Sequence, residues 1–148
     1  MKTVLDKTTR EELINRINSL NENSKAQWGK MNIHQMLMHC TLWEEMAFGQ
    51  RKYKQVFIGK VFGKLALKKI LKDDAPLTRS TPTTPDMIIK ESNVDISKEK
   101  NKWITLIGNY EKFSNPDFIH PFFGKMTEEQ IGLLAYKHTD HHLRQFKA

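Results

Sequence analysis

The sequence predicts an all-α fold, a four-helix bundle with a long irregular crossover between the second and third main helices. Four segments combine capping residues with apolar residues at helical spacing. Between the second and third of them, residues 73–95 contain Pro76, Pro82 and Pro85, and each proline breaks regular structure. No segment alternates apolar and polar residues convincingly enough to predict a strand, so helix packing is expected to build the core.

The first two helices are marked by residues that cap a helix amino terminus. Thr8 and Thr9 each stand three residues before a glutamate, which is capping-box spacing, and leucines and isoleucines follow at helical spacing. Asn32 is a good cap for a second helix, which is predicted to run to about Phe48 and to end at Gly49.

The later segments differ in how well they are signalled. Residues 55–71 are apolar and basic, but Gly59 and Gly63 argue against one continuous helix, so this segment is not counted among the four. The third main helix is predicted over 97–113. The last helix is predicted to open at Thr127, which begins another capping box, and to run to the carboxyl terminus.

Length and composition indicate one globular domain over residues 1–148. With 39% hydrophobic and 28% charged residues, the chain does not have the composition of a disordered protein. No apolar run approaches the roughly 20 residues of a membrane span, and the first residues lack the apolar stretch of an export signal. The single cysteine, Cys40, excludes an internal disulfide and a cysteine-rich zinc site, and it fits a reducing cytoplasm.

A basic stretch gives the sequence a second possible function. The net charge is +7, and between Arg51 and Lys72 there are eight lysines and arginines and no acidic residue. This pattern is compatible with a module that binds nucleic acid or an anionic membrane surface. It is the weaker interpretation, because the apolar residues spread round the helical wheel and no nucleic-acid-binding motif accompanies them.

Three histidines are predicted to face the core from two different helices. On the last helix, His138 and His142 are four residues apart and share the core-facing stripe, while His141 lies toward its edge. On the second helix, His39 lies on the flank of the core face, and His34 falls on the opposite side, where it is expected to be solvated. A bundle can therefore bring three imidazoles together.

The chemistry of these side chains favours a metal site. A buried imidazole without a partner costs about 1–3 kcal/mol for each unsatisfied polar group. A divalent metal removes this penalty by binding one nitrogen from each ring at about 2.0–2.1 Å. Three neutral ligands with an open fourth position are typical of catalytic zinc sites, although nickel, iron or manganese also bind imidazole. The alternative is a set of hydrogen-bonded core histidines.

Three segments resemble a known superfamily. They are WGKMNIHQMLMHC (28–40), HPFFGKMTEEQ (120–130) and HTDHHLRQF (138–146). They resemble a domain-of-unknown-function branch of the DinB/YfiT-like superfamily, and the resemblance covers nearly the whole chain. It implies a four-helix bundle, often a homodimer, in which one histidine of the second helix and an His-x-x-x-His pair of the last helix hold a metal.

Carried onto this sequence, the resemblance implies His39, His138 and His142 as the metal ligands, the same three residues that the helical wheel indicates. After the last ligand this chain reads Leu-Arg-Gln, where better-known members read Arg-Gly-Gln. Characterised members include thiol-dependent transferases and isomerases that use bacillithiol or mycothiol. The resemblance therefore implies a metal scaffold more firmly than a particular reaction or substrate.

The predicted function is that of a metal-dependent hydrolase or thiol S-transferase acting on an unknown small molecule, such as a low-molecular-weight thiol. Three side chains are candidate catalytic residues. His141 is suited to proton relay, His120 to lining the mouth of the site, and Glu44 to acting as a general base. The alternatives are loop rigidity for His120 and a solvated side chain for Glu44. A non-catalytic bundle with a structural metal competes with the enzyme.

Overall fold

Helices dominate the computed structural model, which describes residues 1–79 and 88–148. Within these ranges the elements, in chain order, are α1 (Lys7–Ser19), α2 (Ile33–Ala47), α3 (Phe57–Ile70), α4 (Ile96–Asn109), a short 3-10 helix (Tyr110–Lys112), β1 (Ile119–His120), β2 (Gly124–Lys125) and α5 (Glu128–Gln145). Two of the three crossover prolines, Pro82 and Pro85, lie outside the described residues.

Four of these helices pack on one another. α2 lies against α4 and α5, and α1 also contacts α4 and α5, so a common apolar core forms between them. α3 packs on β2 instead. The predicted predominance of helix is confirmed. The helix α3 was not counted among the predicted four and the short sheet was not predicted, so the expectation that no strand is present was wrong.

Helix caps agree with the prediction at two helices and differ at the first. Asn32 and Thr127 both form reciprocal capping boxes at the starts of α2 and α5. At α1 the cap is Asp6, whose carboxylate accepts a 2.9 Å hydrogen bond from the backbone N–H of Thr9, so the predicted threonine caps were wrong. Aspartate is a stronger cap than threonine, and it starts the helix earlier.

α3 is continuous despite its two glycines. A Cβ atom added to Gly59 would lie 2.4 Å from the carbonyl oxygen of Phe122, and one added to Gly63 would lie 2.2 Å from it. The glycines therefore let the α3 backbone approach the β1–β2 turn more closely than any other residue would allow. The expectation that they interrupt the helix was wrong, because close packing compensates for their low helix propensity.

The two strands are too short to be recognised from sequence alternation. They pair antiparallel, with Ile119 opposite Lys125 and His120 opposite Gly124. Gly124 has φ +74°, a left-handed conformation that glycine adopts without steric cost. Two residues per strand carry no detectable period of two, so the segment was expected to be a loop.

Both ends of the crossover are tied to the helices that carry the three histidines. Lys137 of α5 donates hydrogen bonds to the carbonyl oxygens of Asp73, at 2.6 Å, and Ala75, at 2.8 Å. His34 of α2 is half-buried, with its Nδ1 3.0 Å from the carbonyl oxygen of Val94. The expectation that His34 is solvated was wrong, because the crossover covers that side of α2.

Candidate metal centre

Three histidine side chains converge between α2 and α5. One nitrogen from each of His39, His138 and His142 lies within 4.8 Å of the others, and the group has the composition of a metal site. The closest pair is Nε2 of His39 and Nε2 of His138, which are 3.0 Å apart. The predicted convergence is confirmed, and three nearby histidines can hold a metal ion. Metal binding itself stays a prediction.

Helix geometry and ring packing position these side chains. The four-residue spacing of His138 and His142 places both rings on the same face of α5, with their centroids 4.7 Å apart. Trp43 of α2 stacks on His138 with a centroid distance of 5.3 Å and an interplanar angle of 23°. His39 and His142 are 7% and 6% exposed. The cluster is therefore held within the interface between the two helices.

Gln145 fixes the orientation of one ring. Its Oε1 is 2.9 Å from Nδ1 of His142, and its Nε2 donates a 2.7 Å hydrogen bond to the carbonyl oxygen of Trp28. Because the amide oxygen can only accept, Nδ1 of His142 must carry the proton. Nε2 of His142 is then left with a free lone pair, which is the state a metal ligand requires.

Burial keeps the imidazoles of His138 and His142 neutral. The pKa of His142 is lowered to about 3, mainly by burial and further by His39. The pKa of His138 is lowered well below 6.5, again by burial first and then by His142 and His39. Rings that are already deprotonated at neutral pH can bind a cation without first releasing a proton.

One nitrogen–nitrogen distance in the cluster is close to that of two ligands on the same divalent ion. Two nitrogens bound to one tetrahedral ion at 2.0–2.1 Å lie about 3.3 Å apart, close to the 3.0 Å between His39 and His138. Among the described residues, Nδ1 of His138 is buried without a hydrogen-bond partner. With the ion on Nε2 of His138, Nδ1 carries the ring proton.

His141 lies beside the cluster, as predicted from the edge of the helical stripe. It is half-buried, and its ring is edge-on to His142 at 5.1 Å and to Trp28 at 5.6 Å. Burial lowers its pKa, and a hydrogen bond with the backbone of Leu77 opposes that shift. His141 is therefore partly accessible and adjacent to a ligand candidate.

Glu44 is not solvated, so the alternative of a solvated side chain at the edge of α2 was wrong. Its side chain is fully buried and accepts hydrogen bonds from the hydroxyls of Tyr110, at 2.6 Å, and Thr139, at 3.4 Å. Burial raises the pKa of its carboxyl group to about 8, although these hydrogen bonds lower it. The carboxyl group is therefore largely protonated at neutral pH.

His120 is buried at the end of β1, next to the β1–β2 turn. Its Nδ1 accepts hydrogen bonds from the backbone N–H groups of Phe122, at 3.0 Å, and Phe123, at 3.2 Å. Burial lowers its pKa to about 3, so the ring is neutral. This geometry favours the loop-stabilising alternative for His120.

Two residues of the site were not assigned a role from the sequence. Gln145 follows His142 by three residues, a spacing at which helical side chains meet, and this spacing could have identified it. Trp28 packs on His141, and the guanidinium group of Arg79 lies 4.3 Å from its ring centroid. No periodic signal marks Trp28, because it lies in a loop.

Comparison with known proteins identifies a family without a known function. Searches of curated proteins and of solved structures give no match to this chain. The family model described as protein of unknown function DUF1569 matches residues 1–148. The wider DinB/YfiT-like resemblance stays a prediction. Because the match extends over the whole chain, the protein belongs to the DUF1569 family.

Proposed function

We propose that this protein binds one divalent metal ion through His39, His138 and His142 and acts as a metal-dependent hydrolase or thiol S-transferase on a small molecule. The observation that carries the proposal is the convergence of three ring nitrogens within 4.8 Å. Zinc is the preferred ion because three neutral imidazoles suit it, and nickel, iron or manganese are the alternatives.

The ion would supply Lewis acidity, which polarises a substrate oxygen and lowers the pKa of a coordinated water or thiol. The protein's own residues hold the ligands in place. Gln145 fixes the tautomer of His142, and Trp43 restrains the plane of His138. Three neutral ligands leave the charge of the ion uncompensated, so an anionic ligand such as a thiolate is favoured as the substrate group.

Among the three candidate catalytic side chains, His141 is best placed to move a proton. It is half-buried, and its ring contacts that of His142. Glu44 is largely protonated at neutral pH, and a protonated carboxyl group cannot act as a general base. His120 uses Nδ1 to hold its own loop. We therefore assign structural roles to both side chains: Glu44 bonds Tyr110 and Thr139, and His120 stabilises its own turn.

A structural metal in a non-catalytic protein is the second candidate, and the 7% and 6% exposure of His39 and His142 favours it. Substitution with cobalt(II) distinguishes the two. An open coordination position predicts that added azide or thiol changes the visible spectrum of the cobalt protein. A spectrum that neither addition changes supports the structural metal. The homodimer implied by the superfamily resemblance stays a prediction.

Elemental analysis of the purified protein tests the metal site. We expect about one zinc, nickel, iron or manganese ion per chain in the wild type, and loss of the metal in His142→Ala and in the larger His142→Gln. The matched control is His34→Gln, which removes a histidine of α2 outside the cluster and should retain the metal. A wild-type protein that contains no metal and binds no added zinc or nickel contradicts the proposal.

A further inference from the structure

We propose that α3 docks on the surface of an anionic lipid bilayer. The helix presents five large apolar side chains to solvent, and we call this surface the α3 face: Phe57, Ile58, Val61, Phe62 and Leu65. The inference is independent of the metal site, because it concerns a helix that contributes no histidine to the cluster.

The orientation of α3 is determined by its inward side. Gly59, Gly63 and Leu67 are the residues of α3 that are buried. Because the two glycines pack against the backbone of Phe122, the helix cannot rotate to bury its larger side chains without losing this contact. The bulky apolar residues are therefore held outward.

The exposure of the α3 face is large for apolar side chains. Phe57 is 82% exposed and Leu65 is 71% exposed, and the other three members are 55–58% exposed. Single exposed apolar residues are common on protein surfaces, but a contiguous group of this kind indicates a binding surface. On the helical wheel these five side chains cover one arc. From sequence alone the apolar residues spread round the wheel, because the buried Leu67 lies outside this arc.

Lysines border the apolar arc. Lys60 and Lys64 lie on one flank, and further lysines follow toward the carboxyl end of the helix. Nζ of Lys64 contacts the carbonyl oxygen of Lys125. The lysines of this helix and the residues beside it are exposed: Lys52, Lys54, Lys60, Lys64, Lys68, Lys69 and Lys72. No acidic residue lies between Arg51 and Lys72 to neutralise them.

This combination favours a bilayer over the other occupants. Hydrocarbon covers apolar side chains, and anionic headgroups attract the lysines that surround them. Nucleic acid would neutralise the lysines but leave five apolar side chains facing phosphate and water. A second copy docked on the same face would bring two sets of lysines together with no acidic residue between them.

Vesicle co-sedimentation of the full chain tests the proposal. At low salt we expect binding to phosphatidylcholine vesicles that contain phosphatidylglycerol, little binding to phosphatidylcholine alone, and weaker binding as salt is raised. The double variant Val61→Gln/Leu65→Gln should lower the partition coefficient about tenfold or more. Lys68→Glu/Lys69→Glu should do the same on anionic vesicles.

Matched controls distinguish binding through the α3 face from non-specific adsorption to vesicles. Ile88→Gln changes an apolar side chain that is 55% exposed, like Phe62, but lies outside the α3 face. Lys98→Glu/Lys112→Glu makes the same charge change on exposed lysines of another region. Both controls should bind as the wild type does, and circular dichroism should show that every variant is folded.

Four results would overturn the proposal. The first is a wild type that does not bind anionic vesicles at low salt. The second is an equal loss of binding in the control variants. The third is nucleic-acid binding at least as strong as vesicle binding and unaffected by Val61→Gln/Leu65→Gln. The fourth is a wild-type dimer that these two substitutions dissociate. Metal content is expected to be unchanged in all variants, so either proposal can fail without the other.

Discussion

At the residue scale, neighbouring side chains fix the orientation of two of the three histidines in the candidate site. Nδ1 of His142 is bonded to Gln145, and His138 is stacked on Trp43. The three ligand candidates could be predicted from sequence because helix spacing alone indicates which face a residue occupies. The role of Gln145 could not, because it depends on the carbonyl group of Trp28, which lies in a loop that the helical wheel does not describe.

Glu44 shows why burial decides the chemistry of a side chain. The helical wheel placed it at the edge of the core face, which left both a solvated and a site-facing position open. The structure buries it completely beside Tyr110 and Thr139. Desolvation then raises the pKa of its carboxyl group to about 8, opposed by these hydrogen bonds.

Glu44→Gln should therefore change how stability depends on pH. The folded protein holds the Glu44 proton up to about pH 8, whereas the unfolded chain releases it near the ordinary value of 4.5. Between these values the folded state binds more protons, so the free energy of unfolding falls as pH rises, by up to about 1.4 kcal/mol per pH unit. Urea unfolding at several pH values across this window should show a shallower decrease for Glu44→Gln.

The neighbouring Glu45 provides a control of opposite sign. Burial raises its pKa, but Lys102 and Arg51 outweigh that effect and lower it overall. The ionised form of Glu45 is thus stabilised by folding, and Glu45→Gln should lose stability that is present above pH 4.5 and disappears on acidification. Parallel stability curves for wild type and Glu44→Gln would contradict the assignment of a buried, protonated Glu44.

At the element scale, a helix could be predicted from sequence where its start depends only on hydrogen bonds among its own residues. The capping boxes at Asn32 and Thr127 are sequence patterns with local hydrogen bonds, and both were predicted. α3 was not, because its glycines are compensated by contact with Phe122, about sixty residues later in the chain. Contacts between distant segments override local propensity in this helix.

Gly63→Ala is expected to loosen α3. Its Cβ would lie 2.2 Å from the carbonyl oxygen of Phe122, so either the helix or the β1–β2 turn must move. The steric conflict costs about 1–3 kcal/mol, and the higher helix propensity of alanine returns about 0.5–1 kcal/mol. We therefore expect a net decrease in the free energy of unfolding. Hydrogen exchange should show reduced protection of the α3 amides.

Gly108→Ala is the matched control for Gly63→Ala. Gly108 also lies in a helix, α4, but among the residues that the structure describes no atom lies within 4 Å of a Cβ added there. This variant should gain about 0.5–1 kcal/mol, because alanine has the higher helix propensity and no contact is disturbed. If both alanine variants are stabilised equally, the close approach of α3 to Phe122 does not hold the helix in place.

At the scale of the whole molecule, the fold joins residues that are far apart in sequence. His39 and His138 are separated by 99 positions, yet their Nε2 atoms are 3.0 Å apart. The faces of α2 and α5 could be predicted from sequence, and so could the meeting of the histidines. The tie between Lys137 and the carbonyl group of Asp73 could not, because a lysine on a helix ordinarily indicates a solvated position.

A metal bound at the junction of α2 and α5 should stabilise the entire fold, because only the folded chain assembles all three ligands. With free zinc about a hundredfold above its Kd, binding adds about 2.7 kcal/mol to the free energy of unfolding. For a domain of this size the Tm should rise by about 5–10 °C. Differential scanning calorimetry of the metal-free protein with added zinc measures this shift.

The zinc-dependent rise in Tm should differ among variants according to the role of the substituted residue in the site. His142→Gln removes a ligand and should abolish the zinc-dependent rise in Tm. Gln145→Leu leaves all three ligands but frees the ring of His142, so the same rise should need about 10–100 times more zinc. His34→Gln, outside the cluster, should respond as the wild type does. If His142→Gln retains the wild-type rise in Tm, zinc stabilises the chain at a place other than the three histidines. If the response to zinc decreases in the order wild type, Gln145→Leu, His142→Gln, the metal couples α2 to α5.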